Sequence, residues 1–155
     1  MELPIVQKLK KELNDLQYEL TRKVPKDLQE AASHGDLSEN AEYDAAKQRQ
    51  EYLRARIGQL QGRIRELSLY NIQSIPHGVI AYGSKVTLED DDGQTQVYEI
   101  VFPEEVEAAA GRISLSSPIG KALINKAAGD EIEVQTPNGK RAYQIIGLVT
   151  LHDRS

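Results

Sequence analysis

Asp36 and Glu39 are the residues whose type and spacing bear most directly on chemistry. They belong to the stretch His34-Gly35-Asp36-Leu37-Ser38-Glu39-Asn40-Ala41-Glu42-Tyr43, which lies between two long helical patterns. Two carboxylates about 6 Å apart repel by roughly 0.7–3 kcal/mol between bulk-water and surface dielectrics, and a divalent cation relieves that repulsion. Two carboxylates do not close a metal cage. Mg²⁺ takes one or two of them and fills its other positions with water and substrate phosphates. On this reading the pair is half of a metal site, weak alone and completed by another molecule that brings phosphate. The same residues also have the spacing of a capping box, with Asp36 as N-cap and Glu39 three residues on, or with Ser38 as the cap instead. Spacing alone favours the capping role, because that signature is common at helix starts.

The flanking elements must bring this stretch to a defined place. Before it, Val6, Leu9, Leu13, Leu16 and Leu20 recur at alternating steps of three and four, a heptad seam. Pro4 suits a first helical turn. Pro25, between Val24 and Leu28, predicts a bend near Lys23–Lys26 and renewed helix over Asp27–Ser33. Gly35 is a natural stop. After the stretch the seam resumes through Ala46, Gln50, Leu53, Ile57, Leu60, Ile64 and Leu67. Folding the two seams together antiparallel sets Leu9 opposite Ile64, Leu13 opposite Leu60, Leu16 opposite Ile57 and Leu20 opposite Leu53. The same register sets Glu12 near Arg63 and Glu19 near Arg56, and its midpoint falls between Asp36 and Leu37. Residues 1–73 therefore read as an antiparallel coiled-coil hairpin with an acidic tip at 35–42, an arm roughly 45 Å long at helical rise. A parallel intermolecular coiled coil competes with this, but Pro25 and Gly35 interrupt any single helix. Of the other arm residues, Glu42 suits a cap and His34 a solvated turn. Tyr43 suits packing at the hairpin end, with base stacking as its alternative.

The helical period fades at residues 74–78, which read as a linker, and residues 79–155 change to strand patterns. Lys85–Leu88 and Gln96–Val101 alternate around the turn Asp90-Asp91-Asp92-Gly93, a hairpin. Phe102 to Gly111 reads as a short acidic helical turn, and Arg112–Leu115 as another strand. Ser117-Pro118 opens a helix that Gly129 ends. Glu131–Gln135 and Ala142–Val149 are strands joined across Pro137-Asn138-Gly139. The predicted fold class is α+β: the helical hairpin, followed by an antiparallel β-sheet domain with one covering helix.

Composition narrows the function further. The 155 residues carry a net charge of −5, which argues against a duplex-DNA binder, since that needs a basic face. No cysteine is present, so disulfides and thiolate metal sites are excluded. Neither a long apolar run nor a signal-peptide pattern is present. A monomeric cytoplasmic protein is the expectation.

The run Gly35-Asp36-Leu37-Ser38-Glu39-Asn40-Ala41-Glu42-Tyr43-Asp44-Ala45-Ala46 closely resembles the signature of the Gre family, the bacterial transcript-cleavage and elongation factors. A second resemblance lies in Ser117-Pro118-Ile119-Gly120-Lys121-Ala122-Leu123, Gly129-Asp130-Glu131 and Thr136-Pro137-Asn138-Gly139. The resemblance implies a coiled coil that enters the secondary channel of backtracked bacterial RNA polymerase. There Asp36 and Glu39 would help hold a second Mg²⁺ that activates water to cut the nascent RNA 3′ end. The active centre would be the polymerase's, so the chain is not expected to be a free-standing enzyme. Lys47 matches a basic position of the family, and it and Arg49 are the candidates to meet RNA. A second basic position, four before the tip acid, is Ala32 here, which removes one contact to the RNA backbone. The loop Ser116-Ser117-Pro118 would lie on the polymerase-docking face. The second domain would resemble prolyl isomerases of the FK506-binding type. Their pocket is rich in aromatics, whereas this half has only Tyr82, Tyr98, Phe102 and Tyr143, so isomerase activity is not expected. A channel binder of the same shape that inhibits without cleavage is the other reading of the family likeness.

Overall fold

The computed structural model describes residues 2–35 and 40–154. The chain divides into two compact units, Met1–Ile72 and Gln73–Ser155.

The first unit begins with α1, Pro4–Tyr18, opened by its proline. A π-helical turn follows over Glu19–Lys23, then α2 over Val24–Ala32. The returning helix α3, Ala41–Ser68, lies against both. Val6, Leu9, Val24 and Ala31 are buried on the outgoing side, and Leu53, Ile57, Leu60 and Leu67 on the returning side. Leu13, Leu16, Leu20 and Leu28 pack around Val24, Leu53 and Ile57.

Pro25 does not break the outgoing helix. Tyr18, Glu19, Lys23 and Val24 all keep right-handed helical backbone angles, and the irregularity takes the form of a widened turn just before the proline. The Val24 N–H reaches back five residues to the Glu19 carbonyl. A proline has no N–H to give and crowds the carbonyl four residues earlier, and a wider turn removes that conflict. The turn also corrects the seam. Continued as a strict heptad beyond Leu20, the apolar face would pass through positions 23, 27 and 30. The residues that face α3 are instead Val24, Leu28 and Ala31, each one place later. A π turn accommodates one extra residue, which absorbs the slip.

The charge pairs beside the seam also differ from expectation. Glu12 pairs with Arg56 at 3.1 Å and Glu19 with Arg49 at 2.6 Å. Each glutamate thus takes an arginine one heptad nearer the hairpin's far end than predicted. Arg63 bonds Glu66 on its own helix at 3.0 Å. Arginines at 49, 56 and 63 and glutamates at 12 and 19 all repeat by seven. Sliding every pair by one heptad leaves the same charges on the same face, so charge spacing cannot choose between the two arrangements.

The second unit is a five-stranded sheet in the order β3-β2-β1-β5-β4. Its strands are β1 Lys85–Asp90, β2 Thr95–Val101, β3 Arg112–Ser114, β4 Glu131–Thr136 and β5 Gly139–Val149. The sheet is mixed, not wholly antiparallel as expected, because β3 runs parallel to β2 with Ile100 beside Ile113. Two 3-10 turns, Pro103–Glu105 and Ala108–Ala110, carry the chain back along β2, so that β3 starts beside Glu99 and repeats its direction. One face of the sheet supplies Val86, Leu88, Ile100, Ile132, Val134, Tyr143 and Ile145 to a core completed by Ile80 and Leu123. Leu123 closes the short helix α4, Pro118–Leu123. This helix stops well before Gly129. Ile124 already leaves helical geometry with a ψ of 134°, and Asn125 follows with a left-handed φ of 69° and gives its N–H to the Ile80 carbonyl at 2.8 Å. At Gly120 a Cβ would fall 2.2 Å from the Ser114 carbonyl oxygen, so α4 sits against the end of β3 with no room for a side chain there.

Candidate functional site

The two helical ends that flank the acidic stretch are well defined. Helix α2 ends at Ala32, and Gly35 follows with a left-handed φ of 104°, the conformation that favours glycine. Helix α3 begins at Ala41, and its N-cap is Asn40, whose Oδ1 accepts the Tyr43 N–H at 3.0 Å. The expected cap at Asp36, and its alternative at Ser38, are therefore not the cap that α3 uses. Asparagine ranks with aspartate and serine as a cap, and Asn40 directly precedes the first helical residue. Asp36, Leu37, Ser38 and Glu39 themselves lie outside the described residues.

The ends are tied to one another. Asn40 Nδ2 donates to the Ala31 carbonyl at 2.5 Å, and His34 Nε2 lies 3.4 Å from a Glu42 carboxylate oxygen, both side chains well exposed. Glu42 thus faces His34. With Asp44 it also puts acidic residues in the first turn of α3, where they favour the positive end of the helix dipole. Beside these contacts runs an open groove of about 670 Å³ whose charged lining is Asp27, Glu30, His34, Glu42 and Arg49. Carboxylates outnumber the cationic groups there, so the groove attracts cations more than phosphates.

The two residues expected to meet RNA differ in availability. Lys47 is exposed on α3. Arg49 is exposed as well, but its guanidinium makes a two-pronged contact to Glu19, at 2.6 and 2.8 Å, and lies 5.1 Å from the centre of the Tyr52 ring. The Arg49 hydrogen bond holds the Glu19 carboxyl below the usual carboxylate range. Two of its five N–H groups are thus committed to Glu19, which also offsets its charge. Tyr43 is half-buried at the start of α3.

In the second unit the loop 116–118 is well ordered by its own hydrogen bonds. Ser117 Oγ accepts the Gly120 N–H at 3.1 Å, capping α4, and donates to the Ser114 carbonyl at 2.7 Å. Ser116 and Pro118 are exposed, while Ser117 is half-buried and its hydroxyl is spent within the chain. The four aromatics of this unit are engaged in packing. Phe102 is buried and stacks on Tyr82 at 4.3 Å, and Tyr82 donates to Glu105 at 2.9 Å. Tyr143 belongs to the core and Tyr98 packs on it.

Sequence reasoning missed Asn40 altogether. Its signal was present as an N-cap residue type directly before Ala41-Glu42, but Asp36 and Ser38 carried the same signal nearby. Among the described residues, no helix is long and apolar enough to cross a membrane.

Comparison with known proteins adds a different kind of finding. Residues 5–68 match the family model "Transcription elongation factor, N-terminal", and residues 75–149 match "Transcription elongation factor, GreA/GreB, C-term". The chain is 42% identical over 143 residues to the transcription elongation factor GreA of Brucella anthropi, covering 92% of this chain and 91% of that one. It is 40% identical over 143 residues to the same-named factor of Rickettsia bellii, covering 92% and 89%. Among solved structures, the GreA factor homolog 1 protein of Thermus thermophilus is 30% identical, with 92% of this chain and 93% of that one covered and a TM-score of 0.42.

Proposed function

The chain belongs to the GreA/GreB family of transcription elongation factors, and we propose that it works by lending the carboxylates of Asp36 and Glu39 to the active site of RNA polymerase. The hairpin enters the secondary channel of a backtracked complex and brings both acids to the nascent RNA 3′ end. Cleavage of that RNA is the polymerase's reaction. This chain supplies ligands and position, so it stimulates an enzyme without being one.

The observation that carries this reading is the cap of α3. Asn40 is the N-cap and accepts the Tyr43 N–H, so that position does not itself require acids at 36 and 39. Both offer hard oxygen donors, the chemistry that Mg²⁺ prefers, and two such donors leave most of its positions to water and phosphate. When bound, Mg²⁺ would lower the pKa of a coordinated water and stabilise charge on the cleaved phosphate. The chain's own residues do the rest. Asp36 and Glu39 would hold the ion. Lys47 would meet the RNA backbone, and Arg49 would do so through the N–H groups that Glu19 does not take. Ser116 and Pro118 would contact the polymerase rim while the Ser117 hydroxyl keeps its loop in shape.

The test is direct. Backtracked elongation complexes are incubated with Mg²⁺ and the full chain, and RNA length is followed. The parent protein should shorten the transcript, whereas Asp36→Asn and Glu39→Gln should still bind polymerase without shortening it. Binding by the parent without RNA shortening would mark it as an inhibitory channel binder. Cutting by either variant at the parent rate would remove the metal role.

A further inference from the structure

Asn40 uses both ends of one amide. Its Oδ1 accepts the Tyr43 N–H at 3.0 Å and its Nδ2 donates to the Ala31 carbonyl at 2.5 Å. The first bond is an ordinary helix cap. The second is not needed by α3 at all, because it reaches across to the last turn of α2. Ala31 is only 2% exposed, and its carbonyl also accepts the His34 N–H at 3.2 Å. One small buried residue thus lets the two helix ends approach closely enough to share a single side chain.

We propose that Asn40 is a positioning residue for the two acids. Its clasp on Ala31 ties the residue that follows the acids to the last turn of the helix that precedes them, so that a fixed anchor stands next to the carboxylates in sequence. A site held by a supporting shell of hydrogen bonds keeps its geometry where an unsupported one loosens. The inference rests on the reading of Asp36 and Glu39 as lent ligands. It also explains the residue type. Ionised aspartate accepts but cannot donate, and serine caps well but is too short to reach Ala31.

The two bonds can be separated by substitution. Asn40→Asp keeps the cap and loses the clasp, and Asn40→Ser does the same without adding charge. Both full-length variants are compared with the parent by circular dichroism, thermal unfolding and cleavage of backtracked complexes at varied factor concentration. Helicity and unfolding midpoint should stay at the parent values, as should the factor concentration for half-maximal cleavage. The maximal cleavage rate should fall at least ten-fold in both. A parent-like maximal rate in either variant overturns the inference. So does a loss confined to the half-maximal concentration, or a loss of helicity in both variants. Asp36→Asn is run alongside. If it is inactive while the Asn40 variants cut normally, the positioning role fails and the lent-ligand reading stands. If it also cuts at the parent rate, that reading fails.

Discussion

The π turn makes an unusual prediction about deletion. Removing one residue from an α-helix rotates everything beyond it by ~100° and shifts it by ~1.5 Å, which takes a buried face out of contact. Arg22 is an exposed member of the π turn Glu19–Lys23. Deleting it leaves Leu20, Val24, Leu28 and Ala31 separated by steps of three, four and three. That continues the spacing already set by Val6, Leu9, Leu13, Leu16 and Leu20 as one unbroken seam. The extra residue and the wide turn disappear together. What remains is Pro25, now inside an ordinary α-helical turn, where it costs about 3 kcal/mol. For a unit of this size that lowers the midpoint by about 12–24 °C. The deletion combined with Pro25→Ala should therefore melt at or slightly above the parent, and the deletion alone well below it. Deleting exposed Glu51 from the regular helix α3 is the contrasting case and should abolish the hairpin. Far-ultraviolet circular dichroism of the full chain, followed through thermal and urea unfolding, reads all three. A double variant that melts as low as the Glu51 deletion would refute the account of the turn as an absorbed residue.

Other perturbations test separate parts of the molecule. Leu53 is fully buried against Val24 and Ile57, so Leu53→Ala should destabilise the hairpin by about 2–5 kcal/mol in chemical unfolding. Gly120→Ala places a Cβ against the Ser114 carbonyl oxygen and should destabilise the second unit by at least about 1–3 kcal/mol, read as protection of its strand amides from hydrogen exchange. The Glu19 carboxyl has a lowered folded pKa, so its contribution is present above the ordinary carboxylate range and is lost as pH falls through the folded value. Glu19→Gln should flatten that acid limb of hairpin unfolding. Burial and the Glu105 hydrogen bond raise the Tyr82 phenol above its ordinary value of 10.0. Its contribution is therefore present below that pH and fades above it, and Tyr82→Phe should remove this alkaline loss in a pH series of unfolding midpoints.

Much of the architecture was readable because it follows from period. The strands β1 and β4 and the middle of β5 alternate buried with more exposed residues, and their turns carry glycine where φ is positive, as at Gly93 and Gly139. The features that escaped notice have no periodic signature. A three-residue strand, Arg112–Ser114, holds no information on its direction, so the parallel pairing depended on where the 3-10 turns sent the chain. The end of α4 was hidden by a stronger competitor, since Gly129 is a better stop signal than Ile124-Asn125, although the helix ends there, at an extended ψ followed by a left-handed φ. The seven-residue repeat of Glu and Arg fitted two sets of pairs equally well. The π turn, by contrast, is visible in the apolar residues alone, as the one-place delay from Leu20 to Val24, Leu28 and Ala31.

At the candidate site, residue type carried the chemistry and geometry was needed to assign the roles. Asp36, Ser38 and Asn40 are all good caps, crowded into five positions, and the apolar period of α3 is too weak there to say which one begins the helix. The coordinates give that task to Asn40, through a bond that neither of the other two is needed to make. The N-cap position of α3 therefore does not call for Asp36 or Ser38. Two neighbouring carboxylates repel, and a chain selected only to fold would gain by replacing one of them. Their joint presence beside an asparagine that already caps α3 fits the proposal that they serve a partner outside the chain as oxygen ligands.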